Sequence, residues 1–556
     1  MRRALLSTLM LGFLTPPIEA EAAPRIEPPR LIVLIVVDQL GRGLLERHAN
    51  HLSGGFRRLI DRGRRFEDAL VDHAPTNSLP GHLTAASGAH PRRHGIVDNS
   101  WVEASAGAGR RVLGFAVPRC ATLTGTGPEA ESEGLGPGRF EASTIVEWVR
   151  AADPRARSAS VGTGGGVSVL HAGRATGPVL WFSPAHSGYV GSSCYADSLP
   201  EWAVGFNERL RRDFMSADWT LSAPAAMLAG LRPDEAAFEH RGRDAAFPHA
   251  RPTNAEVLPR WFHDTPFADA ATLTLAGAAV EGEGLGADGV TDILTIGLSS
   301  LDHVGHAYGP YSVEQADSLY RLDHALGAFF DRLDREVGPD RWTVGLTADH
   351  GAPPAPEDAA RFGIGSARRV NEAEAQAAIS RIMAAAEGID DPRERTRAAA
   401  RAAVEIDFVA RVLTPADMAA PAGGDEIARL YTNSFRPGRT SRHPLYDGPA
   451  GRGPADFGLI VVPHPYVVVD WATSIHGSPY RYDRAVEIMF MGPGVAPGTA
   501  CGPARTVDVA PSLAAVAGIA PLNEVDGRVL PLAEPAGGRC PSVVVVTRDD
   551  GGSIGT

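Results

Sequence analysis

Three aspartates and three histidines could bind metal ions in this chain, because nearly all of them follow runs of apolar residues typical of β-strands. The six residues are Asp38, Asp302, His306, Asp349, His350 and His476. Carboxylates and imidazoles are the ligands preferred by borderline metals such as zinc. Six are too many for one tetrahedral ion, so the pattern predicts a two-metal site.

The six candidate ligands divide into two sets of three, one set for each ion. Asp38, Asp349 and His350 are assigned to one ion, and Asp302, His306 and His476 to the other. Asp302 and His306 are four residues apart, so on a helical turn both face the same way. Two metal ions in one site clamp the attacking and leaving oxygens of an in-line displacement.

Ser78 is the candidate nucleophile and is also counted among the metal ligands. It lies in Thr-Asn-Ser78-Leu-Pro80, which reads as the start of a helix with proline in the first turn. A helix N-terminus stabilises negative charge and a metal lowers the pKa of a hydroxyl, so both would favour an alkoxide. The alternative is that Ser78 only caps the helix.

The elements that position these residues alternate between strands and helices, which predicts a doubly wound, mostly parallel α/β sheet with helices on both faces. Predicted strands cover residues 30–37, 292–298, 343–347, 459–462 and 487–491, and predicted helices cover 314–333, 373–386, 393–412 and 507–516. The catalytic domain is predicted to span residues 23–535, followed by a tail at 536–556. Insertions near 104–139 and 352–452 are expected to form a cap over the site.

The N-terminus carries a charged start, a short apolar run and Ala20-Glu21-Ala22, which predicts a signal peptide over residues 1–22. No later segment is apolar enough to span a membrane, so the mature protein is expected to be a soluble monomer in the periplasm or secreted. The formal net charge of −13 argues against nucleic acid as a general partner. Four cysteines permit disulfides, and proximity in the sequence favours Cys120 with Cys194 and Cys501 with Cys540.

Taken together, the motifs resemble the monomeric bacterial alkaline phosphatases, relatives of the nucleotide pyrophosphatase/phosphodiesterases within the alkaline phosphatase superfamily. The motifs are Val-Asp38-Gln, TNSLPGH at 76–82, HGIVDNSW at 94–101, SLDHVGHAYGP at 300–310, DHG at 349–351, HGSPY at 476–480, RTVDVAPSLA at 505–514 and DGRVL at 526–530. The resemblance covers residues 31 to about 532. It implies the alkaline phosphatase-like fold, two zinc ions, the ligand division given above and a covalent phosphoserine at Ser78. It also implies that Asn99 hydrogen-bonds a phosphoryl oxygen of a small phosphoester substrate.

One segment departs from that family. Monoester-specific members carry a Lys-x-Arg pair that grips the phosphoryl group, whereas Gly164 and Gly166 occupy those places here. The loss of two charge-assisted contacts should weaken selection for a monoester over a diester. Arg174 or a nest of glycine N–H groups could replace the pair. The predicted function is therefore release of phosphate from phosphomonoesters, with a phosphodiesterase or a broad-specificity phosphoesterase as the alternative.

Two further alternatives stay open. A sulfatase would explain Ser78-Leu-Pro80, but His82 stands where that motif requires Arg, and a sulfatase site would be richer in carboxylates. A non-catalytic zinc-binding protein would explain the missing cations, but it would not need a nucleophile. Substitution of Ser78 by Ala would separate a binding role from an enzyme.

Overall fold

The computed structural model describes residues 27–103, 111–117, 119–125, 127–128, 134–442, 445, 452–469 and 472–534. The predicted signal peptide and the predicted tail lie outside the described residues, as does part of the first insertion. No helix among the described residues is long and apolar enough to cross a membrane.

The strands follow one another along the whole described chain. They are β1 Leu31–Val37, β2 Arg64–Leu70, β3 Ser100–Glu103, β4 Arg111–Leu113, β5 Thr122–Thr124, β6 Gly127–Pro128, β7 Ser158–Gly162, β8 Val179–Ser183, β9 Gly188–Ser192, β10 Asp292–Leu298, β11 Trp342–Thr347, β12 Arg368–Val370, β13 Val409–Leu413, β14 Arg439–Ser441, β15 Ile460–Pro463, β16 Val467–Val469, β17 Ile488–Met491 and β18 Gly498–Arg505.

The helices lie between these strands. They are α1 Arg42–His48, α2 Gly55–Arg62, α3 Ser78–Ser87, α4 Pro91–His94, α5 Ile145–Ala152, α6 Gly165–Ala172, α7 Glu201–Phe214, α8 Ala225–Leu228, α9 Leu258–His263, α10 Phe267–Glu283, α11 Ser300–Tyr308, α12 Val313–Glu336, α13 Glu372–Ala385, α14 Pro392–Val404, α15 Pro415–Ala419, α16 Glu426–Thr432, α17 Arg481–Arg484 and α18 Val509–Val516.

The largest sheet in the described chain has eleven strands in the order β18-β2-β17-β11-β1-β10-β7-β8-β9-β5-β6. Its central strands, from β11 through β1, β10 and β7 to β8, are parallel to one another. Antiparallel pairs lie towards the edges, where β17 joins β11 to β2 and β9 joins β8 to β5. The predicted α/β sheet with mostly parallel strands is thus confirmed.

The central strand β1 is buried along its whole length because helices cover both faces of the sheet. Leu31, Val33 and Ile35 point to one face and pack into the cluster that includes residues of α10 and α12. Ile32 and Leu34 point to the other face, towards residues of α5 and α18. The continuous apolar run predicted this double burial, since a strand with one wet face would alternate.

One predicted helix of the second insertion is shorter than expected, and the strand predicted after that insertion is present but lies outside the central sheet. The Ala-rich helix predicted for residues 393–412 ends at Val404, and β13 follows within the same run. The segment Val-Ala-Arg-Val-Leu forms β13 and pairs antiparallel with β15. β15, the strand predicted at 459–462, therefore belongs to a separate two-stranded sheet and not to the central one.

The second insertion reaches the region of Asn99 through a small sheet. Its strand β14 pairs with β3, which begins at the residue after Asn99, and β3 pairs with β4 of the first insertion. Strands of both insertions therefore pair with β3, directly after the predicted substrate-binding residue.

Of the predicted disulfides, Cys120–Cys194 is present and joins the first insertion to the segment after β9. Cys501 is also disulfide-bonded. Its predicted partner, Cys540, lies outside the described residues.

His90 fastens the C-terminal segment to the loop that begins α4. Its Nε2 lies 2.9 Å from Asp72 Oδ2 and its Nδ1 lies 3.4 Å from Asp526 Oδ2. Burial alone would lower the pKa of His90, but the two carboxylates outweigh burial and raise the pKa to about 9. The protonated imidazole therefore stabilises the fold fully below the unfolded-state pKa of 6.5, and this contribution is lost as the pH rises through 9.

We expect the free energy of unfolding of His90→Gln to be about 2–3 kcal/mol lower than that of wild type at pH 6. The rise in the His90 pKa from 6.5 to about 9 on folding corresponds to a stabilisation of that order. The gap should shrink as the pH approaches 10, where wild-type His90 is neutral. Denaturant unfolding of both proteins across this range measures the gap. A gap that stays constant from pH 6 to pH 10 would contradict the assignment.

Candidate active site

The three predicted carboxylate ligands come together because they follow neighbouring parallel strands. Asp38 follows β1, Asp349 follows β11 shortly after its last residue, and Asp302 lies in the first turn of α11 after β10. Since β1 pairs with both β10 and β11, the carboxyl ends of these strands meet at one edge of the sheet. The geometry that the sequence suggested is thus present in the fold.

One compact group consists of Asp302, His306 and His476, whose candidate ligand atoms lie within 4.8 Å of one another. Asp302 Oδ1 lies 3.2 Å from His306 Nε2 and 3.5 Å from His476 Nε2. The Nδ1 atoms of both histidines face backbone carbonyls, Ser474 O and Thr76 O, each at 2.8 Å. A proton held at Nδ1 by such a carbonyl leaves Nε2 as the ligand atom.

The other predicted group is built around Asp38, Asp349 and His350. His350 Nε2 lies 3.2 Å from Asp38 Oδ1 and 3.4 Å from Asp349 Oδ2. The His350 ring stacks on the His476 ring with centroids 3.4 Å apart. This stacking places the two predicted metal groups side by side, and Asp302 also falls into a compact group with Asp38 and His350.

The charges in this cluster oppose one another. Burial raises the pKa of Asp349 well above its ordinary range, and the negative charge of Asp38 raises it further. Burial also acts to raise the pKa of Asp38, but the nearby imidazoles of His350 and His82 hold it well below its ordinary value. Burial acts to lower the pKa of His350, whereas the charges of Asp349 and Asp38 raise it to about 10. The cluster of carboxylates therefore favours binding of a positively charged group.

Unpaired buried atoms are a further reason why these side chains fit divalent metal ions. Asp38 Oδ1, Asp349 Oδ2 and His82 Nε2 are buried, yet none of them has a hydrogen-bond partner among the described residues. Buried polar atoms are normally satisfied, so unpaired ones that converge on one place indicate a ligand. A metal ion would satisfy such carboxylate and imidazole atoms together.

Ser78 is the first residue of α3 and faces the cluster. Its Oγ lies 3.5 Å from His350 Nε2. Ser78 follows Asn77, which occupies the N-cap position of α3. The amide end of this helix adds positive potential where a serine alkoxide would form.

Asn99 lies beside the nucleophile, as its predicted role requires. Its Oδ1 accepts a hydrogen bond from the backbone N–H of Leu79 at 2.9 Å. This bond uses the acceptor end of the amide, so the donor end is the one available to a substrate oxygen.

Sequence reasoning missed Asp98, which orders the residues around the nucleophile. The fully buried Asp98 accepts hydrogen bonds from Asn77 Nδ2 at 2.5 Å and from the Asn99 backbone N–H at 2.6 Å. Its second oxygen accepts from the hydroxyl of Ser441 on β14. Asp98 therefore links the N-cap of α3, Asn99 and strand β14 of the second insertion.

His82 also contacts the carboxylate cluster, which its position in the sequence did not reveal. Its Nε2 lies 3.5 Å from Asp349 Oδ2 and 3.9 Å from Asp38 Oδ2. Its Nδ1 lies 3.0 Å from Nε2 of His171 on α6. His82 thus lies within the carboxylate cluster, and it also connects the nucleophile helix to α6.

The segment that replaces the family's Lys-x-Arg pair lies at the start of α6. Gly164 is the N-cap residue of α6 in an extended conformation, and a Cβ atom built on it would meet no heavy atom within 4 Å. A Cβ on Gly166 would come within 2.8 Å of Cδ2 of Leu79, the residue next to Ser78. Gly166 thus adjoins the residue that follows Ser78, and the Cβ position of Gly164 borders open space.

The structure does not bring Arg174 to this site. Arg174 follows the C-terminal end of the eight-residue helix α6, about 12 Å from its start at a rise of about 1.5 Å per residue. Its guanidinium donates to the carbonyl oxygens of Phe140 and Ala142 and lies 3.8 Å from Glu147 Oε1. These contacts hold the charge away from the phosphate position that was predicted for it.

The fold and the site together define a class of α/β protein. It has a serine at a helix N-terminus and a cluster of candidate Asp and His metal ligands at the carboxyl ends of parallel strands. A protein-family model described as type I phosphodiesterase / nucleotide pyrophosphatase matches residues 32–416. The chain belongs to this family, and it is a hydrolase of phosphoric esters.

Individual relatives agree with this assignment. Alkaline phosphatase PhoK of Sphingomonas sp is 30% identical over 549 residues, which cover 91% of each chain. Alkaline phosphatase PhoV of Synechococcus elongatus is 31% identical over 351 residues, or 61% of this chain and 62% of that protein. The solved structure of wild-type alkaline phosphatase PafA has the same fold, with a TM-score of 0.78 at 22% identity over 92% of this chain and 100% of that one.

Proposed function

We propose that the protein releases phosphate from small phosphomonoesters through a covalent phosphoserine at Ser78. The observation that carries the proposal is the position of Ser78 Oγ, at the N-terminus of α3 and 3.5 Å from His350 Nε2 in the cluster of metal ligands. The relatives named alkaline phosphatases support the monoester as substrate. The sulfatase and the non-catalytic alternatives do not account for this combination of nucleophile and relatives.

The metal site of the proposal is a pair of zinc ions. Asp38, Asp349, His350 and Ser78 would hold one ion, and the other would be held by the group around Asp302. When bound, the two ions supply positive charge for the attacking and the departing oxygen. Gln39 supports the arrangement, because its Nε2 donates to Asp302 Oδ1 at 2.6 Å and its backbone N–H donates to Asp349 Oδ1 at 3.1 Å.

The chain's own residues then carry two displacements at phosphorus. In the first, Ser78 Oγ forms a bond to phosphorus while the bond from phosphorus to the alcohol oxygen breaks. In the second, a water oxygen bonds to phosphorus, the bond to Ser78 breaks and phosphate leaves. Asn99 donates through Nδ2 to a phosphoryl oxygen in both steps, and Asp98 keeps Asn99 in place.

A phosphodiesterase is the second candidate, and the open space at Gly164 favours it. A monoester carries two negative charges on phosphorus and a diester carries one, so a missing cation penalises the monoester more. The open space at the Cβ position of Gly164, where monoester-specific members carry the cation, would also leave room for a second ester group. The two candidates share Ser78 and differ in substrate.

The deciding experiment compares an aryl phosphate monoester with the matching aryl diester on zinc-loaded enzyme. We expect turnover of the monoester to dominate, to disappear with a chelator and to return with Zn²⁺. Turnover that favours the diester would replace the first candidate by the second. If turnover stays unchanged after complete removal of metal, the metal-dependent mechanism is wrong.

We further propose that the protein acts outside the cytoplasm as a monomer after loss of its signal peptide. The Cys120–Cys194 disulfide supports an oxidising compartment. Cell fractionation with N-terminal sequencing of the mature protein tests the export. Uncleaved protein in the cytoplasm would contradict it.

A further inference from the structure

A second group of metal-ligating side chains lies outside the catalytic cluster. It consists of His263, Asp264 and His303, and one candidate ligand atom from each lies within 4.8 Å of the others. His263 ends α9, Asp264 is the next residue, and His303 lies on α11 beside Asp302. The group therefore connects α9 to the helix that carries two catalytic ligands, Asp302 and His306.

The distances in this group suit a small divalent ion. Asp264 Oδ1 lies 2.9 Å from His263 Nδ1 and 3.7 Å from His303 Nδ1. Ligand atoms bound tetrahedrally at zinc distances are separated by about 3.3 Å. The observed separations lie on either side of this value, so shifts of a few tenths of an ångström would complete the site. The two imidazole rings already face each other with centroids 4.5 Å apart.

Neighbouring contacts orient the carboxylate towards the histidines. Arg260 Nε donates to Asp264 Oδ2 at 2.7 Å, which leaves Oδ1 as the oxygen directed at both imidazoles. His303 Nδ1 also lies 3.1 Å from the carbonyl oxygen of His263, so a proton at this nitrogen must leave when a metal binds. The side chains of His263, Asp264 and His303 are 12%, 37% and 21% exposed, so an ion can reach them from solvent.

We propose that His263, Asp264 and His303 form a separate site for a zinc-class divalent cation, with water in the remaining position. Two imidazoles and one carboxylate are a ligand set that zinc takes when one coordination position stays open to solvent. An ion there bridges the end of α9 to α11. This inference does not depend on the proposed function, because none of the three residues belongs to the catalytic group.

The test is a count of bound zinc in full-length protein that has been stripped with a chelator, reloaded and desalted. We expect His263→Gln and His303→Gln each to bind one equivalent less than wild type, by elemental analysis and by calorimetric titration. The matched control is His324→Gln on α12, an exposed histidine whose Nδ1 lies 2.9 Å from its own helix carbonyl at Tyr320. It should bind as much zinc as wild type.

Only differences between variants and wild type are counted, so the result is independent of how many ions the catalytic cluster holds. Equal zinc contents in all four proteins would overturn the proposal, and so would an equal loss in the His324→Gln control. If a variant fails to fold, wild-type protein provides the readout through modification of histidines by diethyl pyrocarbonate. Zinc should protect His263 and His303, and equal modification with and without zinc would overturn the site.

Discussion

Ser78→Ala is expected to lower turnover of the preferred phosphoester on the order of 10⁴-fold, because it removes the only atom proposed to attack phosphorus. Ser78 Oγ lies 3.5 Å from His350 Nε2, so the substitution also removes a proposed metal contact. The methyl side chain of alanine fits the first turn of α3 without strain, and the fold should persist. Steady-state kinetics on the zinc-loaded variant measure the loss.

The covalent step gives a second readout of the same prediction. Acid-quenched wild-type enzyme should carry phosphate on the peptide that contains Ser78, and the alanine variant should carry none. Ser87→Ala is the matched control, because Ser87 lies on the same helix and its hydroxyl contacts backbone groups, donating to the Leu83 carbonyl at 2.6 Å and accepting from the Ala89 N–H at 3.3 Å. Turnover by Ser78→Ala close to that of Ser87→Ala would disprove the serine mechanism.

The carboxylate cluster was predictable because it depends on a rule of topology. Residues that follow parallel strands meet at one edge of the sheet, so Asp38 and Asp349 could be placed from the chain alone. Asp302 and His306 could be added because a helical turn puts residues four apart on one face. Each of these inferences needs only the local sequence and the fold class.

Contacts between distant elements could not be predicted in this way. His82 and His171 are 89 residues apart, and their hydrogen bond depends on how α3 packs against α6. Asp98 and Ser441 are 343 residues apart and meet only because β14 pairs with β3. Nothing in the sequence around Asp98 or Ser441 specifies such a partner, since packing between elements is decided by side chains far apart in the chain.

Arg174 illustrates the same limit at shorter range. It is only ten residues from Gly164, and proximity in the sequence suggested that it could replace a lost cation. A helix separates the two positions, so they lie at opposite ends of α6. Residues 165–172 are rich in glycine and valine, so the helix was hard to predict, and without it the direction of Arg174 could not be derived.

Gly164→Lys is expected to raise the ratio of monoester to diester turnover about 10-fold or more, because one charge-assisted contact to phosphate is worth ~1.5–3 kcal/mol. Gly164 has an extended conformation with φ −123°, which any residue adopts, and its Cβ position is open. By the resemblance to monoester-specific members, position 164 is where these carry the lysine, so the substitution restores that cation. Kinetics on the paired aryl monoester and diester measure the ratio.

Two variants separate charge from bulk in this experiment. Gly164→Met has a side chain of similar length without charge, so it should leave the ratio near that of wild type. Gly166→Arg also adds a cation, but its Cβ would lie 2.8 Å from Leu79 Cδ2, and Leu79 would have to move beside Ser78. We therefore expect Gly166→Arg to lower turnover of both substrates. An equal ratio for Gly164→Lys and Gly164→Met would contradict a role for position 164 in discriminating the charge of the substrate.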